Sequence, residues 1–378
     1  MALKCHHAGQ PPHHKTKNVG RKSGGAGGIR TPDTVFRPYN GLANRRLQPL
    51  GHRSGARNLT STGAYVNAIS RKAGTKVRAL GWQARFAPTF VWVYGVLNKA
   101  IMDTTPSPVA ARAEAYFRDL QQTIMQAFQA FEPTATFTVT PWQKKPGERL
   151  QGGGTMAVIR GDVFEKMGVN FSCVHGTFPQ PFRKEIPGAE ESEGRFWASG
   201  VSLVCHPKNP HVPITHMNVR RIETSRGWFG GGADLTPSHP YAEDTAHFHH
   251  ALKQACDAFK STAYHEYKTW CDEYFFMPHR NESRGVGGIF YDYLEDEAPE
   301  KTFAFTQAVG SAFLEAYLPL VEKRRNQPVT EDDKHIQNVK RGRYTEFNLL
   351  YDRGTRFGLQ SGGNTEAILM SLPPNAHW

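Results

Sequence analysis

The chain has few cysteines, and none lies in a metal-binding or redox spacing. Its five cysteines are odd in number and include no Cys-x-x-Cys pair. This excludes a disulfide framework, a zinc knuckle and a cysteine-ligated iron–sulfur cluster, and it is typical of a reduced intracellular protein. Long apolar runs are also missing, because the longest, residues 90–97, is far too short to span a bilayer. We therefore expect a cytoplasmic protein with no transmembrane segment.

Acidic residues are almost absent from the first quarter of the chain. Residues 1–101 contain 17 Lys or Arg and one acid, Asp33, whereas the remainder has a net charge of −4. The overall net charge of +12 therefore comes from the N-terminal segment. The body lacks the basic excess that indicates a nucleic-acid partner, so we expect none.

Three interpretations of residues 1–101 remain open. The stretch from Gly27 to Gly55 resembles the translation of a tRNA gene upstream of a misassigned start codon, which favours Met102 as the true start. A targeting extension, rich in Arg and Ser and poor in acids, is the second interpretation. A disordered arm is the third. Each predicts a segment that packs poorly, so we assign the folded domain to residues 102–378.

Apolar periodicity predicts three helices and several strands in this body. The helices are one that starts after Met102 and ends before Pro133, one over about 243–259, and one over about 302–323. Tyr344–Asp352 and Phe357–Gln360 are predicted as late strands. Because strands and helices mix without regular βα alternation, the pattern favours an α+β fold with a largely antiparallel sheet in a single domain.

Polar side chains recur on one face of two neighbouring predicted strands, residues 200–206 and 215–222. The connector between them, residues 207–213, is rich in Pro and suits an antiparallel return. The two polar faces then meet on one side of the sheet. Burying such groups costs free energy unless each finds a partner, so the cluster predicts a polar functional site. It contains Ser202, His206, His216, Asn218 and Arg220.

The titratable residues suggest acid–base chemistry on an anionic substrate. His216 moves protons near neutral pH, as a general acid or base must. Asp292 either pairs with a neighbour such as Arg284 or faces the site. Arginines bind carboxylates in a bidentate manner, with surface ion pairing as the alternative. The candidate arginines are Arg220, Arg280, Arg284 and Arg343. The glycine runs 152–154 and 230–232 match no phosphate-binding loop, so we do not expect nucleotide binding.

Taken together, these segments resemble the oxygen-dependent coproporphyrinogen III oxidase family, in its bacterial form. The resemblance runs from about Tyr116 to Pro374, and residues 1–101 have no counterpart in it. The segments that carry it are Gly200–His206, Thr215–Arg220, Trp228–Pro237, Trp270–Phe275, His279–Phe290, Arg343–Asn348 and Ile368–Pro374.

The resemblance implies oxidative decarboxylation of two propionate groups of coproporphyrinogen III to vinyl groups, giving protoporphyrinogen IX in haem biosynthesis. It implies O2 as co-substrate and no organic cofactor. The implied fold is a large, flat, mostly antiparallel sheet flanked by helices on both faces. The implied assembly is a homodimer, whose interface we expect to include residues 344–378. The family normally continues past Pro374, so we also expect the chain to be truncated at its C-terminus.

The resemblance also assigns roles to single residues. It makes His216 the proton donor and Asp292 the acid that handles the pyrrole N–H. Asn364 stands where arginine is common, so one propionate contact is expected to be missing or supplied elsewhere. The expected substrate-binding residues are Ser202, Asn218, Val219, Arg220, Arg284, Gly362, Gly363 and Asn364. A divalent metal is a further possibility, with His206, His216, His249 and His279 as its ligands.

Two other functions remain compatible with the residues. The first is a non-haem iron oxygenase that uses two histidines and a carboxylate, which predicts stoichiometric bound iron. The second is a tetrapyrrole carrier without activity, which predicts tight porphyrin binding and no vinyl product. A pure carrier has little need of a proton donor such as His216.

Overall fold

The fold is built on a seven-stranded antiparallel sheet, seen here in a computed structural model that describes residues 106–295, 298–360 and 362–378. The strands in spatial order are β1 (Thr138–Gln143), β2 (Leu150–Ile159), β3 (Phe164–Thr177), β4 (Arg195–Pro207), β5 (Ile214–Glu223), β6 (Gly227–Thr236) and β9 (Gly287–Leu294). A separate small ladder pairs β7 (Phe276–Met277) with β8 (Glu282–Ser283).

Eight helices are found in the described part of the chain. They are α1 (Pro108–Gln129), α2 (Gln180–Arg183), α3 (Ala242–Phe259), α4 (Ala263–Tyr274), α5 (Pro299–Arg324), α6 (Glu331–Leu350), α7 (Arg353–Gln360) and α8 (Thr365–Leu369). The three helices predicted from apolar periodicity are α1, α3 and α5, and all three are confirmed.

The two predicted late strands are wrong, because both segments are helical. Tyr344–Asp352 forms the end of α6 and the turn after it, and Phe357–Gln360 lies in α7. Helix α6 begins at a capping box, in which the Thr330 hydroxyl and the Asp333 carboxylate bind each other's backbone N–H. Helix α7 follows Asp352, whose carboxylate accepts a hydrogen bond from the Thr355 N–H at 2.6 Å.

The main core lies against one face of the sheet. Odd-numbered strand residues such as Leu203, Val219 and Ala233 pack there against α1, α3 and α5. On the opposite face, α6 approaches even-numbered positions in the cluster of Val204, Ile214 and Tyr344. Helix α8 approaches the same face through the Ala367 carbonyl, which accepts from Asn170. Helices therefore cover both faces, and the predicted α+β fold is confirmed.

The described residues belong to one compact unit. Nothing in this part of the chain forms a helix that combines the length and the apolarity needed to cross a membrane. The predictions for residues 1–101 concern a segment that lies outside the described residues.

Candidate active site

The polar face predicted from alternation forms at the centre of the sheet. Strands β4 and β5 pair antiparallel with Ser202 opposite Asn218, as the predicted return requires. Strand β6 then places Asp234 opposite His216 and a glycine, Gly230, opposite Arg220. Because every second residue points to the same side, acid–base and anion-binding groups of several strands share one surface.

Hydrogen bonds along β5 fix its three polar side chains. Arg220 Nη1 donates to Asn218 Oδ1 at 2.8 Å, which turns the Asn218 amide nitrogen towards His216. Asn218 Nδ2 lies 3.3 Å from His216 Nε2, and His216 Nδ1 lies 3.0 Å from Asp234 Oδ1. Since Asn218 donates to Nε2, the proton of the neutral ring is on Nδ1, where it donates to Asp234.

Asp234 is itself held by a buried arginine. Arg284 Nη2 donates to Asp234 Oδ2 at 2.6 Å, and both side chains are only 3% exposed. Burial raises the pKa of Asp234, but Arg284 and His216 outweigh it and hold that pKa below its ordinary value. The carboxylate is therefore ionised and fixes the orientation of His216.

Aromatic rings enclose the other side of Arg284. Its guanidinium lies 4.0, 4.5 and 4.8 Å from the ring centroids of Phe275, Tyr344 and Phe347. Such contacts stabilise a cation that is removed from water. The predicted substrate-binding Arg284 thus lies behind His216, in a supporting position, with its charge already neutralised by Asp234.

Asp292 pairs with Arg220, and the alternative of a pair with Arg284 is wrong. Arg220 Nη2 and Asp292 Oδ2 are 2.8 Å apart. The register of β9 against β6 shifts next to Asp292, and Tyr293 adopts a left-handed φ of 52°. The Tyr293 N–H donates to Asp292 Oδ1 at 3.0 Å. This bulge directs the carboxylate towards Arg220.

Two other predicted arginines form surface ion pairs. Arg280 Nη2 lies 2.6 Å from Glu346 Oε1, and Arg343 contacts Glu282 and Glu346 at 3.2 and 3.3 Å. For these two residues, surface ion pairing, the alternative to substrate binding, is what the structure shows. Arg220 is therefore the predicted arginine that remains on the polar face with a partly exposed side chain.

The Gly362, Gly363 and Asn364 segment connects α7 to α8. Gly362 has φ +79°, and the Gly363 N–H donates to the Gly358 carbonyl at 2.8 Å, which ends α7. The Asn364 side chain caps α8 by accepting from the Ala367 N–H. Since α8 contacts β3 through the Ala367 carbonyl, the turn lies on the same side of the sheet as Ser202.

Val219 does not share the polar face. Its side chain is fully buried in the main core, because odd-numbered residues of β5 point to the opposite side. Only its backbone is available to a ligand on the polar face.

The four histidines predicted as metal ligands do not form one cluster. His206 Nε2 binds the Ser371 carbonyl, and His249 binds the Val286 carbonyl and the Tyr264 hydroxyl. The remaining two, His216 and His279, contact different carboxylates, Asp234 and Glu346. Within the described residues no group of three or more His, Cys, Asp or Glu is arranged to hold a metal ion. These residues do not fit a shared metal site.

Sequence reasoning missed several residues of the site. Asp234 was missed although the sequence contains a signal for it. Asp234 lies opposite His216 on the next strand, β6, and follows the same two-residue alternation. Asn348 had no such signal, since it reaches Arg284 from α6 at 3.0 Å. Arg353 was also missed: its guanidinium lies 5.0 and 5.8 Å from the ring centroids of Tyr274 and Phe290. A guanidinium that packs on aromatic rings in this way is suited to bind an anionic ligand.

A cavity of about 610 Å³ lies elsewhere, between α1 and the edge formed by β1 and β2. None of the predicted site residues lines it. Its charged groups are Glu114 and Arg118, which pair with each other at 2.7 Å. Burial raises the pKa of the Cys173 thiol there to about 12, so the thiol is not a nucleophile.

Fold and site together define an α+β protein that presents acid–base and anion-binding groups on one face of an antiparallel sheet. Residues 112–378 match the family model of coproporphyrinogen III oxidase. The chain therefore belongs to the coproporphyrinogen III oxidase family.

Named relatives are similar over the same region. A protein of Rickettsia bellii (strain OSU 85-389) is 50% identical over 273 residues, which is 70% of this chain and 96% of the relative. A protein of Rickettsia africae (strain ESF-5) is 50% identical over 269 residues, which is 69% of this chain and 95% of the relative. Each is named oxygen-dependent coproporphyrinogen-III oxidase.

Proposed function

We propose that this chain catalyses the oxygen-dependent oxidative decarboxylation of two propionate groups of coproporphyrinogen III, giving protoporphyrinogen IX in haem biosynthesis. The observation that carries the proposal is the Asp234–His216–Asn218–Arg220–Asp292 series of contacts, on the polar face of a chain that belongs to this family. The series combines a proton-transferring ring, an anion-binding cation and a carboxylate on one surface.

The reaction balances without a redox cofactor. For each vinyl group, one propionate loses hydrogen from its β-carbon and CO2 from its carboxylate. The two electrons released reduce one O2 to hydrogen peroxide. The porphyrinogen is electron-rich, so the substrate itself reacts with O2. The proposed reaction therefore uses no metal.

The chain's own groups bind the substrate and move protons. Arg220 offers a guanidinium to a propionate carboxylate, with Ser202 and Asn218 beside it. Asp292 accepts the pyrrole N–H proton, which increases the electron density of the ring for reaction with O2. His216 returns a proton, and Asp234 stabilises its charged form. The turn at Gly362, Gly363 and Asn364 forms part of the rim.

The test is turnover of coproporphyrinogen III by the full chain, in air and under nitrogen, with the porphyrins separated by chromatography and detected by fluorescence. Oxygen-dependent product that resists a chelator supports the proposal. Bound iron in a one-to-one ratio and loss of activity with chelator would instead favour the iron oxygenase. Tight porphyrin binding without vinyl product would favour the carrier.

The role of Asp292 is tested by Asp292→Ala. We expect turnover to fall by about 100-fold or more, because a positioned general base contributes about 10² to 10⁴ in rate. The control is Asp257→Ala, since Asp257 pairs with Lys253 on the surface of α3 and its side chain is 41% exposed. Undiminished turnover of Asp292→Ala would disprove this assignment while leaving the activity itself intact.

We also propose that the protein is a cytoplasmic homodimer whose interface includes residues 344–378. This region exposes apolar side chains on α6 and α7, among them Leu349, Leu350, Phe357 and Leu359, although α6 packs against the sheet through Tyr344. Exposed apolar surface of this kind is typical of protein interfaces.

A further inference from the structure

The segment of residues 365–372, called here the C-terminal arm, crosses the polar side of the sheet over β3. Asn170 Nδ2 donates to the Ala367 carbonyl at 2.6 Å, and Lys166 Nζ donates to the Leu372 carbonyl at 2.7 Å. Between them, Met370 fills the space above Gly168, where a Cβ would lie only 1.7 Å from the Met370 sulfur. The arm is therefore seated on β3 at defined positions.

His206 of β4 provides the most deeply buried anchor of the arm. Its Nε2 lies 2.8 Å from the Ser371 carbonyl, and the residue is 0% exposed. A carbonyl only accepts, so Nε2 carries the proton. Burial lowers the pKa of His206 to about 3, which leaves the ring neutral. The Tyr344 ring packs edge-on against it, with the ring centroids 5.2 Å apart.

A series of side-chain contacts leads from the arm to His216. Asn348 Nδ2 donates to Ser371 Oγ at 3.3 Å, and Arg284 Nη1 donates to Asn348 Oδ1 at 3.0 Å. Arg284 in turn binds Asp234, which orients His216. Loosening of the arm removes the Ser371 hydroxyl from Asn348, and Asn348 is the residue that holds the second guanidinium nitrogen of Arg284.

We propose that His206 is a positioning residue, not a metal ligand: it holds the C-terminal arm on the sheet and thereby fixes the Asn348–Arg284–Asp234 support of His216. The Nε2–H is committed to the Ser371 carbonyl, and within the described residues no group of three or more His, Cys, Asp or Glu completes a metal site around the other ring nitrogen, Nδ1. The catalytic consequence rests on the proposed function, whereas the effect on the arm does not.

The experiment compares His206→Leu with His206→Gln. The leucine fills similar space without a donor, and the glutamine amide can still donate to Ser371 but binds metals weakly. We expect amides of residues 365–372 in His206→Leu to exchange hydrogen about tenfold faster or more, because one buried hydrogen bond is lost. Turnover should fall in parallel. His206→Gln should restore both, while the control His250→Leu, at an exposed position on α3, should change neither.

A second variant keeps the proposal testable if His206→Leu does not fold. Gly168→Ala leaves His206 intact but displaces Met370, so it should also speed exchange in the arm and lower turnover. Gly168→Ala with Met370→Ala should recover both, because the shorter side chain makes room.

Two results would overturn the proposal. One is a His206→Gln protein that is as inactive as His206→Leu and has lost bound manganese or iron, measured by elemental analysis on both proteins. The other is unchanged exchange of the arm in His206→Leu and Gly168→Ala. If the wild-type protein makes no vinyl product, the exchange and metal measurements still decide the role of His206, so the two failures are distinguishable.

Discussion

At Gly230 the missing side chain is what allows the Arg220–Asp292 pair to form. A Cβ at this position would lie 2.5 Å from Asp292 Oδ1 and 3.1 Å from Arg220 Nε and Nη2. The atoms in its way are the ends of two side chains, which can move. Gly230→Ala therefore changes the site and leaves the backbone in place.

We expect Gly230→Ala to lower kcat/KM by about 10- to 100-fold, as a displacement of about 1 Å in a reacting group does, with little change in Tm. Steady-state kinetics and thermal unfolding measure the two effects. Gly231→Ala is the contrast, because its Cβ would meet the Asn218 carbonyl at 2.6 Å and the Tyr291 side chain in the core. That variant should lose stability. Wild-type kinetics for Gly230→Ala would contradict this account of the pair.

Residues that follow local alternation were predictable, and residues that depend on distant packing were not. His216, Asn218 and Arg220 share a face because of the two-residue period of β5 alone. Asn348 and Ser371 reach the site from the other end of the chain, through contacts that span 64 and 23 residues. Local patterns carry no information on such pairings, so the support of His216 was missed.

Among the elements, α6 shows why a helix was mistaken for a strand. Its sheet-facing side carries polar residues at helical spacing, Gln337, Arg341, Tyr344 and Asn348, and all are buried. These polar groups break the apolar stripe that usually reveals a helix. The Tyr, Thr and Phe of its last turns also favour strands. The capping box at Thr330 was the available signal for its start.

On the outer side of α6, the Glu346 carboxylate binds residues of the β7–β8 hairpin and the C-terminal residue. Glu346 accepts from Arg280 at 2.6 Å, from His279 at 2.7 Å and from Trp378 Nε1 at 2.9 Å. Arg280, with smaller contributions from His279 and Trp378, lowers the pKa of Glu346 from 4.5 to about 2. A depressed carboxyl pKa stabilises the folded state above the unfolded pKa, and this contribution is lost as the pH falls towards the folded value.

We therefore expect Glu346→Gln to be less stable than the wild type at pH 7, with a difference that shrinks as the pH falls from about 4.5 towards 2. Urea unfolding at a series of pH values measures the difference. Glu273→Gln, at an exposed position on α4, is the control and should follow the wild type throughout. A difference that persists unchanged at pH 3 would assign the effect to packing and not to charge.

At the scale of the whole molecule, the outer sides of α6 and α7 belong to the surface that we propose as the dimer interface. Leu350 is 52% exposed and Trp378 is 72% exposed, and the same region of the chain includes the exposed Leu349, Phe357 and Leu359. Asn348, two positions before Leu350, is buried and binds Arg284. Helix α6 thus supports the proposed active site on one side and presents an apolar surface on the other. Pairing of two copies through this surface would therefore also stabilise the position of Asn348.

We expect the wild-type protein to sediment as a dimer and Leu350→Lys to sediment largely as a monomer, because a charged side chain in the centre of an apolar interface costs free energy that has no compensation. Val139→Lys, at a 48% exposed position on the outermost strand β1, is the matched control and should remain dimeric. If contact between the two copies stabilises α6 and Asn348, turnover of Leu350→Lys should fall in proportion to the monomer fraction. It should recover at a high protein concentration. A dimer that survives Leu350→Lys would place the interface on another surface, and a fully active monomer would show that Asn348 keeps its position without a second copy.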